Sequence, residues 1–178
     1  MKPGKHHPEP TPESAPEPAA STARVWEIEE SLTVPLAPEA VYPIVADVRR
    51  MKDWSPEVFA VRPLGRSFVG FNRRGPWVWF TVCRIMTADP GREFAFDVTS
   101  FGLPIARWGY RFAPAEEGAA TLVTEYWIDR RRDGWRRRIA EILGLVFTGT
   151  PAARRAERNR AGMRTTLLRL RAACGGAP

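Results

Sequence analysis

Between Trp54 and Asp129 the chain is interrupted by turn signals at short, even intervals. The punctuators are Pro63-Leu64-Gly65, Arg74-Gly75-Pro76, Asp89-Pro90-Gly91, Gly102-Leu103-Pro104 and Glu116-Glu117-Gly118, recurring every 10 to 15 residues. A parallel crossover needs a dozen or more residues between strands, usually a helix, so this spacing suits antiparallel hairpins. Period-two alternation agrees with that reading. Phe94, Phe96 and Val98 share one strand face, as do Trp108, Tyr110 and Phe112, and all six are expected in the interior.

The flanks complete the pattern. Residues Val25 to Val34 read as a first strand. Pro38 opens a helix at a position where its missing N–H costs nothing, and Val41, Ile44, Val45 and Val48 make one apolar stripe. Pro43 is expected to bend this helix or delay its regular part. A short turn follows, in which Asp47 caps and Trp54 plugs one end of the sheet. Near the C-terminus Thr150 and Pro151 suit the start of a long helix. Ala153, Ala156, Met163, Leu167, Leu170 and Cys174 keep 3/4 spacing along it, and Gly175-Gly176 ends it. Residues Trp135 to Phe147 read as an extra short helix, basic at its start and apolar at its end.

The expected fold class is α+β: a curved antiparallel sheet of about seven strands around a long C-terminal helix, with two short helices after the first strand. Residues 24–174 form one domain, and the Pro-rich stretch 1–23 reads as a disordered tail, because after Met1 it has no large apolar side chain to bury. A sheet wrapped around a helix encloses space. If side chains do not fill it, a pocket of about 300–1,000 Å³ is the ordinary result.

Residue counts remove many functions. Both histidines, His6 and His7, lie in the tail, so the domain offers no imidazole for a serine triad, a Cys/His nucleophile or a His-ligated metal. No P-loop or dinucleotide-binding glycine motif is present, and neither cofactor nor metal is expected. The two cysteines, Cys83 and Cys174, make no disulfide framework, so a cytoplasmic location is expected. The apolar stretch Ile142–Phe147 is too short to span a bilayer, and no secretory signal is expected at the N-terminus. Residues 129–178 carry 13 basic and 4 acidic side chains. Such a surface suits nucleic acid, or, through residues 135–147, weak contact with an anionic membrane. No nucleic-acid-binding motif accompanies it, so the favoured reading is a solvated helix face whose apolar end covers a pocket mouth.

These residues resemble a known family. Val34-Pro35, Pro38-Glu39-Ala40-Val41-Tyr42, Asp47 and Trp54-Ser55-Pro56-Glu57 match it first. Gly65, Phe68, Gly70, Asn72, Arg73, Gly75 and Trp79 follow, then Pro90-Gly91-Arg92, Phe94-Ala95-Phe96, Trp108-Gly109-Tyr110, Thr121 and Gly162-Met163. The pattern is similar to the helix-grip superfamily of START lipid-transfer domains and the major birch-pollen allergen, and most of all to its bacterial polyketide cyclase/dehydrase-like group, often labelled SRPBCC. The resemblance implies a cavity for a hydrophobic or aromatic small molecule, lipid- or polyketide-like, held by a carrier or sensor. Cyclase or dehydrase activity on a ligand in the same cavity is the alternative. A basic C-terminal surface that binds membrane or nucleic acid is a second. No catalytic set of the family aligns here residue by residue, and the 135–147 insert and Pro43 depart from its plainest pattern.

Candidate ligand contacts follow. Phe68, Gly70 and Asn72 alternate onto one strand face, where the amide of Asn72 either orients a ligand carbonyl or bonds neighbouring backbone. Trp79, Thr81 and Cys83 share a face that the resemblance turns inward. Phe96, Trp108 and Tyr110, and Met163 on the last helix, complete the expected wall, with Asn159 beside it. Two weak catalytic candidates remain. A buried Tyr110 phenol wants a partner. Glu125 lies between Val123 and Trp127 in the last strand: facing inward it would have a raised pKa and suit base chemistry, but the outward orientation is favoured for a charged side chain.

Overall fold

The computed structural model describes residues 26–131, 134–135, 138–139, 142 and 154–175. The first strand, β1 (Glu27–Val34), leads into α1 (Pro38–Ala46), a 3-10 turn over Val48–Arg50 and α2 (Met51–Trp54). Six strands follow: β2 (Val58–Leu64), β3 (Ser67–Arg74), β4 (Trp77–Asp89), β5 (Glu93–Ser100), β6 (Leu103–Ala115) and β7 (Ala120–Asp129). The last element is α3 (Arg155–Ala173). The strands form one sheet in the order β1-β7-β6-β5-β4-β3-β2, antiparallel throughout.

The punctuators fall where the strands reverse. Gly75 holds φ at 54° in the two-residue link from β3 to β4, a conformation that Pro76 beside it cannot adopt. Register shifts interrupt the ladders between β2 and β3, β4 and β5, and β5 and β6. Bulges of this kind bend strands, and here they help curve the sheet around α3.

Pro43 does not delay the helix, and α1 runs without a break from Pro38 to Ala46. Asp47 behaves as expected, its Oδ1 accepting from the Arg49 N–H at 3.2 Å to cap the following turn. Trp54 is 1% exposed and belongs to the main core with Val41, Val45, Phe68, Phe94 and Leu170. On α3 the anticipated stripe is buried at Met163, Leu167, Leu170 and Cys174, with Thr166 among them. The expected tail 1–23 and the helix start at Thr150-Pro151 lie outside the described residues, as does most of the 135–147 insert. From that insert Trp135, Arg138, Ile139 and Ile142 are helical and exposed. Among the described residues no helix is long and apolar enough to cross a membrane.

The buried side chains form two clusters. The larger joins α1, α2 and the end of α3 to β3–β7, while the smaller holds Ile28, Ala106, Trp127 and Met163. α3 packs chiefly on β1, β7 and α2. It is clamped to the edge strand by Arg164, whose Nε and a terminal nitrogen each donate to Glu30 at 3.1 Å.

On the outer sheet face, Tyr126 of β7 lies across Gly109 of β6, its partner in register. Its hydroxyl donates to Glu93 at 2.6 Å, and the Arg111 guanidinium stacks over its ring at 5.1 Å. A Cβ on Gly109 would come within 2.3–2.6 Å of that ring, so only glycine fits. Gly109→Ala should therefore destabilise the fold by about 1–3 kcal/mol, the usual cost of overpacking. Urea unfolding of that variant, and of Gly109→Ala combined with Tyr126→Ala, checks the cause: the second substitution should make the added methyl nearly cost-free.

Candidate functional site

A pocket of about 200 Å³ lies between the two core clusters and takes its walls from both. Strands β3–β7 supply one side, and α2, the chain just after it and α3 supply the other. The volume is below the range of about 300–1,000 Å³ typical of ligand sites, so the space suits a compact guest.

All eight side chains expected to bind a ligand border this space: Phe68, Asn72, Trp79, Thr81, Phe96, Trp108, Tyr110 and Met163. Trp79 faces inward with Thr81 and Cys83, while Val78, Phe80 and Val82 of the same strand are exposed on the outer face. Of the alternating sextet, Phe96, Val98, Trp108 and Tyr110 reach the pocket; Phe94 and Phe112 stay in the core. Asn159 also lines it, whereas Asp47 and Trp54 do not.

Asn72 makes the backbone bond weighed for it and also stands on the pocket wall. Its Nδ2 donates to the Gly70 carbonyl at 3.1 Å and to Thr81 Oγ1 at 3.4 Å, and the residue still borders the pocket. Gly70 leaves room here, because a Cβ would meet Thr81 Oγ1 at 3.2 Å. Burial pushes the Cys83 thiol up to about 12, so it remains protonated and serves as an apolar wall.

The outward orientation favoured for Glu125 is wrong. The residue is 3% exposed and faces inward between Val123 and Trp127. The pleat determines this: β7 is flanked by β1 and β6, and its inward positions include the apolar Val123 and Trp127, so Glu125 shares their face. Tyr110, opposite it in register, donates its hydroxyl to Glu125 Oε1 at 3.0 Å. The partner of the phenol is thus a protein carboxyl. Glu125 Oε2 is buried and has no hydrogen-bond partner among the described residues. Burial raises the carboxyl pKa to about 8 despite the bond from Tyr110, so Glu125 is mostly neutral at pH 7. Burial, reinforced by Glu125, holds the Tyr110 phenol well above its usual range.

Charged groups gather where the lining reaches solvent at Pro56 and Arg158. Glu57 accepts from Arg74 at 3.1 Å, and Arg74 lies over the Trp79 ring at 5.7 Å. Burial raises the Glu57 carboxyl, partly offset by Arg74 and Arg155. Arg155 is brought down to about 10, first by burial and then by Arg131, which is itself buried and paired with Asp129 at 2.6 Å. Glu57, Arg74, Trp127 and Thr166 were not anticipated as lining residues. Thr166 alone left a clear signal, lying three residues beyond Met163 on the buried helix face.

The buried acid makes stability depend on pH. Glu125 keeps its proton in the folded chain up to about pH 8 but loses it near 4.5 when unfolded. Its stabilising contribution is therefore full below 4.5 and declines by about 1.4 kcal/mol per pH unit until the folded group titrates. The urea midpoint should fall steadily between pH 5 and pH 8, and Glu125→Gln should flatten that fall.

Three comparisons bear on this arrangement. No curated protein matches the chain. Among solved structures, XoxI from Bacillus cereus superposes with a TM-score of 0.60 at 14% identity, over 84% of this chain and 95% of that one. The Zhui aromatase/cyclase from Streptomyces sp. R1128 gives 0.60 at 16% identity, over 84% and 93%. The di-domain ARO/CYC StfQ of the steffimycin biosynthetic pathway gives 0.60 at 16%, over 84% of this chain and half of its own, 50%. At these identities the likeness is one of fold. The family model described as polyketide cyclase / dehydrase and lipid transport matches residues 25–175, from the start of the sheet through the end of α3, and the chain belongs to that family.

Proposed function

We propose that the protein binds a hydrophobic or aromatic small molecule, lipid- or polyketide-like, in the pocket between its two core clusters and serves as a carrier or sensor. One observation carries this reading: the core divides around the space instead of closing over it, and aromatic and aliphatic side chains border the gap. Burial supplies the affinity, about 2.5 kcal/mol for each ~100 Å² of apolar guest surface removed from water. Polar side chains interrupt the wall at Asn72, Thr81, Tyr110 and Glu125, with charged ones toward solvent, and they give the guest its orientation.

Glu125 favours a second reading, turnover of a polyketide-like chain in the same pocket. A carboxyl that retains its proton near neutral pH suits general acid chemistry, and two of the structural neighbours are described as aromatase/cyclases.

The readings separate experimentally. 2-Ethylnaphthalene should quench the fluorescence of Trp79, Trp108 and Trp127 and saturate at one site, and Gly70→Val should weaken it at least tenfold while the far-UV spectrum is unchanged. Saturable quenching that Gly70→Val leaves intact would place the guest elsewhere. A reactive poly-β-ketone analogue, mixed with the protein, should be bound and recovered unchanged; conversion that Glu125→Gln abolishes would instead establish the enzyme.

A further inference from the structure

We propose that Glu125 reads the guest: its second carboxyl oxygen, Oε2, donates a hydrogen bond to a carbonyl or similar acceptor oxygen on an otherwise apolar ligand. The inference rests on the pocket-binding reading and specifies what its ligand must carry.

The geometry assigns the proton. Glu125 Oε1 already accepts from the Tyr110 hydroxyl at 3.0 Å. Oε2 is buried, lacks a partner among the described residues and belongs to a side chain that borders the pocket. With Oε1 engaged as an acceptor, the proton of the neutral acid sits on Oε2. The side chain thus presents an O–H donor on the pocket wall. An unmet buried polar group costs about 1–3 kcal/mol, and a guest supplying an acceptor recovers it. A guest of the same shape without an acceptor does not, which is how a hydrogen-bonding site discriminates. Tyr110 is a positioning residue, since it orients the carboxyl and fixes which oxygen is left to donate.

The charge state of Glu125 must then govern recognition. Among the described residues the ionisable groups around it include the Cys83 thiol, which borders the same pocket and stays protonated. Tyr110 faces it from β6 and stays protonated well above the usual range. Glu30 lies opposite it in register on β1 and is paired with Arg164 of α3. Glu57, Arg74, Arg155 and Arg158 border the same pocket toward solvent. Burial holds the Glu125 carboxyl neutral until about pH 8. Above that value it becomes a carboxylate, which repels a carbonyl oxygen and has no proton to give.

The test compares 2-acetylnaphthalene with 2-ethylnaphthalene, nearly equal in shape, on the full chain. At pH 9 about one tenth of a group titrating near 8 remains neutral. From pH 6 to pH 9 the ketone should lose about tenfold in affinity while the hydrocarbon changes less than twofold. The infrared carbonyl stretch of the bound ketone should be lowered at pH 6 and return toward its apolar-solvent value at pH 9. Glu125→Gln keeps an N–H donor and should abolish the pH dependence; Glu125→Leu should abolish the infrared shift. If Glu125→Leu does not fold, the wild-type pH series and Glu125→Gln still decide. Hydrocarbon binding together with a ketone that shows neither pH dependence nor a shifted stretch overturns this inference and leaves the pocket reading standing. Binding of neither guest overturns the pocket reading and this inference with it.

Discussion

One helix cannot cover the concave face of a seven-stranded sheet. Strands about 4.8 Å apart make a sheet roughly 29 Å wide, whereas a helix with its side chains measures about 10–12 Å across. The position of α3 therefore decides where the interior fills. It sits toward the β1–β7 edge, held by the Glu30–Arg164 pair and by the buried residues Met163, Leu167 and Leu170. α1 and α2 cover much of the remainder. The pocket occupies the seam between these coverings. Its presence follows from a mismatch in width that the bulges and short helices only partly correct.

What lines the seam matters because the surrounding core is apolar. A buried carboxyl opposes folding at any pH where it must ionise, and a hydrophobic side chain in its place would pack without that penalty. Glu125 meets the constraint by staying neutral, and Tyr110 satisfies one of its oxygens. The solvent end is built differently. There Arg74, Arg155 and Arg158 stand with Glu57, partly hydrated, an excess of positive charge that the one carboxyl offsets only in part. Inward of the guanidinium groups the wall changes from charged side chains to a neutral acid.

Much of the fold was legible in the sequence because it is written in local signals. Turn residues every 10 to 15 positions marked the hairpins, and the 3/4 spacing of Met163, Leu167 and Leu170 marked the inner face of α3. Trp79 could be oriented only through the family resemblance, since both faces of β4 are apolar; the inward orientation is the one found. Glu125 went the other way. Val123 and Trp127 on either side indicated burial, but charge argued for solvent; the shared pleat turns Glu125 inward, and a phenol on the neighbouring strand supplies its partner there. Partnerships between elements, such as Tyr110 of β6 with Glu125 of β7 or Glu30 of β1 with Arg164 of α3, leave no spacing in the sequence that periodicity reveals. Pro43 shows the opposite case. Its local signal suggests a delayed start, and the helix instead runs through the proline without a break.

The same pair of strands links the two faces of the sheet. Outside, Tyr126 needs the bare backbone of Gly109; inside, Tyr110 needs Glu125 across from it. Both pairings belong to one register, Gly109 with Tyr126 and Tyr110 with Glu125. A slip of one residue would turn every side chain of β7 to the other face, exposing Val123 and Trp127 and removing the phenol from the carboxyl. The ring seated on glycine at the outer surface therefore acts as a register pin for the interior. Glu93 and Arg111 strengthen the pin by holding the tyrosine at its hydroxyl and over its face. A hydrogen bond facing the pocket is thus kept in place by contacts on the opposite face of the sheet.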